Sequence, residues 1–140
     1  MKERILVQDD EEAILAIMCS MLTASGYECL QAISPKNAWA VLGSEKEVDV
    51  VLCGLLESSE DGLVERMAET FPEIPIVVVS ACDDSSVVGV ALRKGAYDFL
   101  KKPFGREQML AVVRRALEYR RLKLENQELR AKLVRQSEDE

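Results

Sequence analysis

Apolar positions in this chain come in two kinds: short continuous runs and longer stretches at helical spacing. Ile5-Leu6-Val7 is the first run and reads as a strand. Ile14, Leu15, Met18, Met21 and Leu22 then recur at helical spacing across residues 11–25, and Gly26 suits a helix C-terminal cap. Residues 28–32 read as a second strand. Ser34-Pro35 is an N-cap followed by proline at the first helical position, which predicts a helix to about Leu42. Residues 49–53 form a third apolar run, followed by a loop over 54–60. Asp61-Gly62 opens a helix ending near Thr70. Ile76 to Val79 are four consecutive β-branched residues, as a strand buried on both faces requires. Asp84 or Ser85 caps a helix through Lys94, and Gly95 closes it. Residues 97–101 form the last strand, Pro103 stops it, and a long helix covers about 106–134.

Strand and helix therefore alternate five times. Such alternation predicts an α/β fold with a parallel sheet and helices on both faces. Right-handed crossovers favour the doubly wound, flavodoxin-like (βα)5 order 2-1-3-4-5, here with an extended C-terminal helix. Function in such folds gathers where the strands end. Those ends carry Asp9-Asp10, Gly54, Ser80-Ala81 and Lys102-Pro103.

Adjacent carboxylates at a strand end suit a divalent cation such as Mg²⁺, which prefers hard oxygen ligands. A hydroxyl at Ser80 and an ammonium at Lys102 suit an anionic group, with phosphate the obvious candidate. Any one of these residues has an ordinary structural role: a carboxylate caps the next helix, and Lys-Pro ends a strand. All four at neighbouring strand ends are harder to explain that way.

These segments resemble the receiver domain of two-component response regulators. The resemblance rests on Ile5-Leu6-Val7-Gln8-Asp9-Asp10-Glu11-Glu12, on Asp61-Gly62-Leu63, on the run from Ile74 to Ala81, and above all on the run from Gly95 to Phe104. It covers about residues 4–118. It implies Asp9 and Asp10 as Mg²⁺ ligands, Ser80 and Lys102 as phosphoryl contacts, and Ser80 and Phe99 as switch residues. It also implies a phosphoacceptor aspartate eight residues before Gly62, where this chain has Gly54. The following loop departs too, with Glu57-Ser58-Ser59 in place of the usual Met-Pro-Gly.

Glycine has no nucleophile, so no acyl phosphate can form at residue 54. It supplies no metal ligand either, so the Mg²⁺ site is expected to be weak or vestigial. Lys102, without its usual partner, is expected to turn to Asp9 or Asp10. The leading expectation is a degenerate receiver: not an enzyme, independent of phosphorylation, and working by protein contacts, through a surface that the resemblance places on the fourth and fifth helices and the end of the second to last strand. One alternative is phosphorylation by a histidine kinase on a substitute residue such as Glu57 or Ser58. Another is a truncated regulatory domain of a transcriptional activator, since the helix after the receiver also resembles the linker of NtrC-type activators. An engineered Gly54 and a nucleotide- or flavin-binding flavodoxin-like protein rank lower. The altered loop argues against the first, and the lack of a glycine-rich phosphate loop against the second.

The last helix carries a second pattern. Tyr119, Asn126 and Leu133 fall at heptad position a, and Leu122 and Leu129 at d. A buried asparagine at a favours a parallel dimer. Glu118 and Glu125 fall at g, and Lys123 and Arg130 at e, so the cross-chain pairs are opposite in sign. Leu124 at f does not fit, and the register spans only about two and a half heptads. The expected division is a receiver over 1–118, a coiled-coil helix over 119–135 and an acidic tail over 136–140.

Composition narrows the partners. The net charge is −7 over 140 residues, which disfavours direct nucleic-acid binding. The basic cluster Arg114, Arg115, Arg120, Arg121 and Lys123 lies among glutamates and reads as a solvated helix surface. Cysteines 19, 29, 53 and 82 have no C-x-x-C spacing and there is no histidine, so zinc is not expected. Cys19 and Cys53 read as small core residues. No stretch is apolar enough to span a membrane, and no signal peptide precedes the first strand, so a cytoplasmic location is expected. The expected partners are a histidine kinase or output domain and a second copy of the chain.

Overall fold

The computed structural model describes residues 2–44, 47–54, 62–81 and 85–138. Glu57, Ser58, Ser59, the helix-opening Asp61, Cys82 and the cap candidate Asp84 lie outside them.

Among the described residues, five strands alternate with five helices: β1 Arg4–Gln8, α1 Glu12–Ala24, β2 Glu28–Ala32, α2 Pro35–Leu42, β3 Val50–Gly54, α3 Leu63–Thr70, β4 Ile76–Ser80, α4 Ser85–Arg93, β5 Asp98–Lys101 and α5 Arg106–Glu138. All strand pairs are parallel, and the order is β2-β1-β3-β4-β5. This is the flavodoxin-like (βα)5 arrangement that the alternation predicts.

Successive residues of a strand face opposite sides of the sheet. Ile5, Val7, Val50, Leu52, Val77 and Val79 therefore meet α1 and α5, with Leu15, Met18, Leu22, Met109 and Val113. Leu6, Val51, Cys53, Ile76 and Val78 meet the other helical layer, with Ala38, Leu42, Val64, Met67 and Ala91. Fully burying one such aliphatic side chain contributes about 1.5–3 kcal/mol. The two aliphatic layers thus specify the sheet without an aromatic core.

The helix ends follow their local chemistry. Ser34 Oγ accepts from Asn37 N at 3.1 Å, with Pro35 in the first turn. After α1, Tyr27 N donates to Leu22 O and Gly26 N to Thr23 O, each at 3.1 Å. That is the two-bond Schellman closure, which needs the left-handed backbone of Gly26 at φ 96°. α4 closes the same way on Gly95, at φ 117°. Here space is short as well: a Cβ on Gly95 would lie 2.5 Å from Ala68 Cβ of α3.

α5 has two characters. Its first half buries Met109, Leu110, Val112, Val113 and Ala116 against the sheet. It then continues past the sheet's N-terminal edge, and its 33 residues span about 50 Å. Among the described residues, no helix is long and apolar enough to cross a membrane.

Gly95→Ala combines a disallowed backbone with an overlap against α3. It should destabilise the fold by about 3 kcal/mol. Urea unfolding should show this as a lower midpoint with an unchanged slope.

Candidate functional site

The parallel register brings four strand ends to one edge. Gln8 pairs with Cys53, Gly54 with Val79, and Ser80 with Lys101. Pairing continues one residue further in two places. Asp9 N donates to Ala32 O at 3.1 Å, and Lys102 N donates to Ser80 O at 2.8 Å. Asp9, Gly54, Ser80 and Lys102 therefore share a single rim.

Asp9 is buried at 2% exposure and has two partners. Its Oδ1 accepts from the Glu11 backbone N at 3.0 Å, a local turn that leads into α1. Its Oδ2 accepts from Lys102 Nζ at 2.7 Å. Lys102 thus takes Asp9 of the two acids open to it. Burial works against ionisation of Asp9. The Lys102 ammonium and the Glu11 N–H outweigh it and hold this carboxyl below the usual aspartate range.

Gly54 lies beside this pair. A Cβ built there would sit 3.1 Å from Gln8 O and 3.4 Å from Asp9 Oδ2. The Asp9 carboxylate thus borders the space that a side chain at 54 would enter. Gly54 is not among the residues with positive φ, so the backbone does not require glycine. Below it, the buried Cys53 thiol donates to Gln8 Oε1 at 3.4 Å. Burial, with the Asp9 charge added, pushes that thiol up to about 12.

Ser80 is buried at the end of β4, and the Lys102–Pro103 peptide is cis. Phe99 is half-buried, packs on the α2–α4 side, and shares with Lys102 a groove that runs along α5 past Gln108 and Val112.

Asp9, Asp10 and Glu11 offer carboxylate oxygens within 4.8 Å of one another, a set capable of coordinating a divalent cation. Asp10 and Glu11 are exposed, whereas Asp9 gives one oxygen to Lys102. The hard-oxygen donor set fits Mg²⁺, with the ammonium as a competitor. Glu11 extends the expected Asp9–Asp10 pair to three acids. Its signal was the run of four acids, Asp9 to Glu12, in which helix geometry decides which members converge.

The α5 residues assigned to a dimer divide into two groups. Leu122, Leu129 and Leu133 are exposed, as is Asn126 between them. Tyr119 is also exposed but packs one side against Tyr97 of its own domain, with ring centroids 4.7 Å apart and planes tilted by 39°. Contacts with the domain run past residue 118. Arg120, at 14% side-chain exposure, pairs with Asp49 at 3.2 Å and Glu47 at 3.4 Å. Lys123 Nζ donates to Pro72 O at 2.6 Å. Leu124, out of place in the heptad, is half-buried and lines a groove with Tyr27 and Leu117. Its position faces the domain, which explains its misfit. Within the helix, Arg121 pairs with Glu118 and, at 3.0 Å, with Glu125. Both g-position acids thus already have an intrahelical partner.

The response regulator receiver domain profile matches residues 5–114. An NtrX-like response regulator of Rickettsia typhi is 32% identical over 138 residues, covering 96% of this chain and 29% of that protein. The nitrogen assimilation regulatory protein NtrX of Azorhizobium caulinodans is 32% identical over 133 residues, covering 93% of this chain and 29% of that protein. The crystal structure of Brucella abortus NtrX in complex with ADP superposes with a TM-score of 0.83 at 32% identity, covering 93% of this chain and 29% of that one. The receiver domain of the same NtrX, solved alone, gives 0.74 at 30% identity, covering 81% of this chain and 98% of that one. The chain spans less than a third of the length of these curated relatives.

Lys102→Met should leave the Asp9 carboxylate buried without its cation, costing about 3 kcal/mol at neutral pH, the low end for a pair whose lysine is partly exposed. Because the folded-state pKa of Asp9 is depressed, the pair's contribution is present above the ordinary value of 3.8 and fades as pH falls through the lower folded value. Urea midpoints of wild type and Lys102→Met, measured from neutral to strongly acidic pH, should therefore differ most at neutral pH and converge in acid.

Proposed function

Because this chain belongs to the response regulator receiver domain family, we propose that it is the regulatory receiver of an NtrX-type response regulator and acts through protein contacts, without an acyl phosphate at residue 54. The observation that carries this reading is the Asp9–Lys102 pair at 2.7 Å beside Gly54. The lysine that the family resemblance assigns to the phosphoryl group already has an internal counter-ion. The position that would supply the nucleophile has no side chain. The domain then turns over no substrate of its own.

Ser80 and Phe99 keep the switch positions that the resemblance implies; Ser80 shares the rim with Lys102 and Phe99 shares the α5 groove with it, and together they offer a surface that a partner biases. Mg²⁺ binding through Asp9, Asp10 and Glu11 is a weak, competing state, because it must share Asp9 with the ammonium. The partner classes are those of two-component signalling: a histidine kinase or an output domain, in the cytoplasm. The reading as regulatory domain of a transcriptional activator draws support from coverage. The NtrX-type relatives are more than three times as long as the matched segment. Phosphorylation by a kinase on Glu57 or Ser58 remains the competing reading, and the same phosphotransfer test separates it.

A homodimer through α5 completes the proposal. The seam starts at Leu122, because Tyr119 is committed to Tyr97. Leu122, Asn126, Leu129 and Leu133 then form an exposed stripe on the side of the helix away from Leu124. Asn126 fixes the register.

With acetyl phosphate and Mg²⁺, intact-mass measurement should find no added phosphoryl group on wild type. Gly54→Asp should gain one, after Gln8 and Asp9 shift by a few tenths of an ångström to admit the Cβ. A phosphoryl group on wild type that disappears in Ser58→Ala or Glu57→Gln would establish the substitute-residue reading instead. Sedimentation at tens of micromolar should show a dimer that Leu129→Asp converts to monomer. A wild-type monomer there would remove the coiled coil from the proposal.

A further inference from the structure

The first turns of the α5 extension are held by the chain's own domain. Tyr119 packs on Tyr97. Arg120 pairs with Asp49 at 3.2 Å and with Glu47 at 3.4 Å. Asp49 is itself fixed, because its Oδ2 accepts from the Arg4 backbone N at 2.7 Å. Lys123 Nζ donates to Pro72 O at 2.6 Å and lies 5.7 Å from the centroid of the Tyr119 ring. Leu124 lines the groove with Tyr27 and Leu117. Beyond Lys123, no hydrogen bond or ion pair among the described residues ties α5 to the domain.

These contacts have a consequence for a second copy of the chain. At 100° per residue, heptad positions a, e, b and f occupy one continuous arc of about 140°. Tyr119, Lys123, Arg120 and Leu124 fill that arc in that order, and the domain covers it. A parallel partner helix needs a and d, flanked by e and g. The two arcs overlap at a and e. Tyr119 and Lys123 therefore cannot serve the domain and a partner helix together. The first cross-chain charge pair, Lys123 with Glu118 of a second copy, is occupied at both ends, since Glu118 pairs with Arg121 of its own helix. The next heptad is open: Asn126, Leu129 and Leu133 are exposed.

Resting on the α5 homodimer put forward above, we propose that residues 119–124 are a surface for which the chain's own domain and a second copy compete. Docking on the domain confines the coil to the part from Leu122 onward and weakens the dimer. Release of the Arg120–Asp49 anchor frees Tyr119 and Lys123 and lengthens the coil at its N-terminal end. The docked helix is thus an internal brake on dimerisation.

The test is a sedimentation concentration series on the full chain, on Arg120→Gln and on Tyr97→Leu, each variant checked by far-UV circular dichroism. The two substitutions lie on opposite sides of the docking contact, so a fold defect in one leaves the other to decide. Each dimer undocks two helices, so either variant should lower the dimer dissociation constant by about tenfold. In the monomeric Leu129→Asp background, Arg120→Gln should speed amide exchange over residues 119–126 and leave residues 109–116 protected. A dissociation constant equal to or above that of wild type in the folded variants would overturn the proposal while the homodimer stands. Unchanged exchange over residues 119–126 would overturn it as well. A wild-type monomer at tens of micromolar would instead remove the homodimer, and the brake with it.

Discussion

Every central strand of this sheet is buried on both faces, and most of the structure follows from that constraint. A parallel sheet has to be covered by helices on both sides, because its crossovers place them there. β1, β3 and β4 accordingly carry aliphatic residues at successive positions, facing the two helical layers in turn. The same connectivity aligns the strands' carboxyl ends. No side chain chooses to be in the pocket; the register delivers Asp9, Gly54, Ser80 and Lys102 to one rim.

On that rim the decisive event is electrostatic. A buried carboxylate needs a counter-charge or it gives up its proton. Asp9 finds one in Lys102, a contact between residues 93 positions apart in sequence. With glycine at 54 beside them, Asp9 and Lys102 neutralise each other. The pocket that results is stable but preoccupied.

Much of this was legible in the chain, for local reasons. Strand runs, helical spacing, the Ser34 cap and the Gly26 closure depend on neighbouring residues, and most appear within a residue of where the sequence places them; Gly54, expected in the loop, is instead the last residue of β3, and α5 runs on to Glu138 through the stretch expected as a tail. Strand order followed from handedness. What the sequence did not distinguish was which of two adjacent acids Lys102 would take, because Asp9 and Asp10 are chemically identical until one is buried. Glu11 joined the acidic set through the turn that leads into α1. Leu124 is awkward in a heptad because its side of the helix faces Tyr27 and Leu117. The anchoring of Arg120 to Asp49 needed three-dimensional proximity between distant segments, and no spacing in the sequence announces it.

The long last helix begins beside the pocket's edge of the sheet and leaves at the opposite edge. There Arg120, Lys123 and Tyr119 hold it to Asp49, Pro72 and Tyr97. Beyond them, roughly fourteen residues project as a rod of about 20 Å. Such a rod is a lever with its fulcrum at the Arg120 anchor. A tilt of about 10° at the fulcrum carries the far tip through about 4 Å, more than half a helical turn. Small adjustments of packing along the first half of α5 are thereby amplified at its far end.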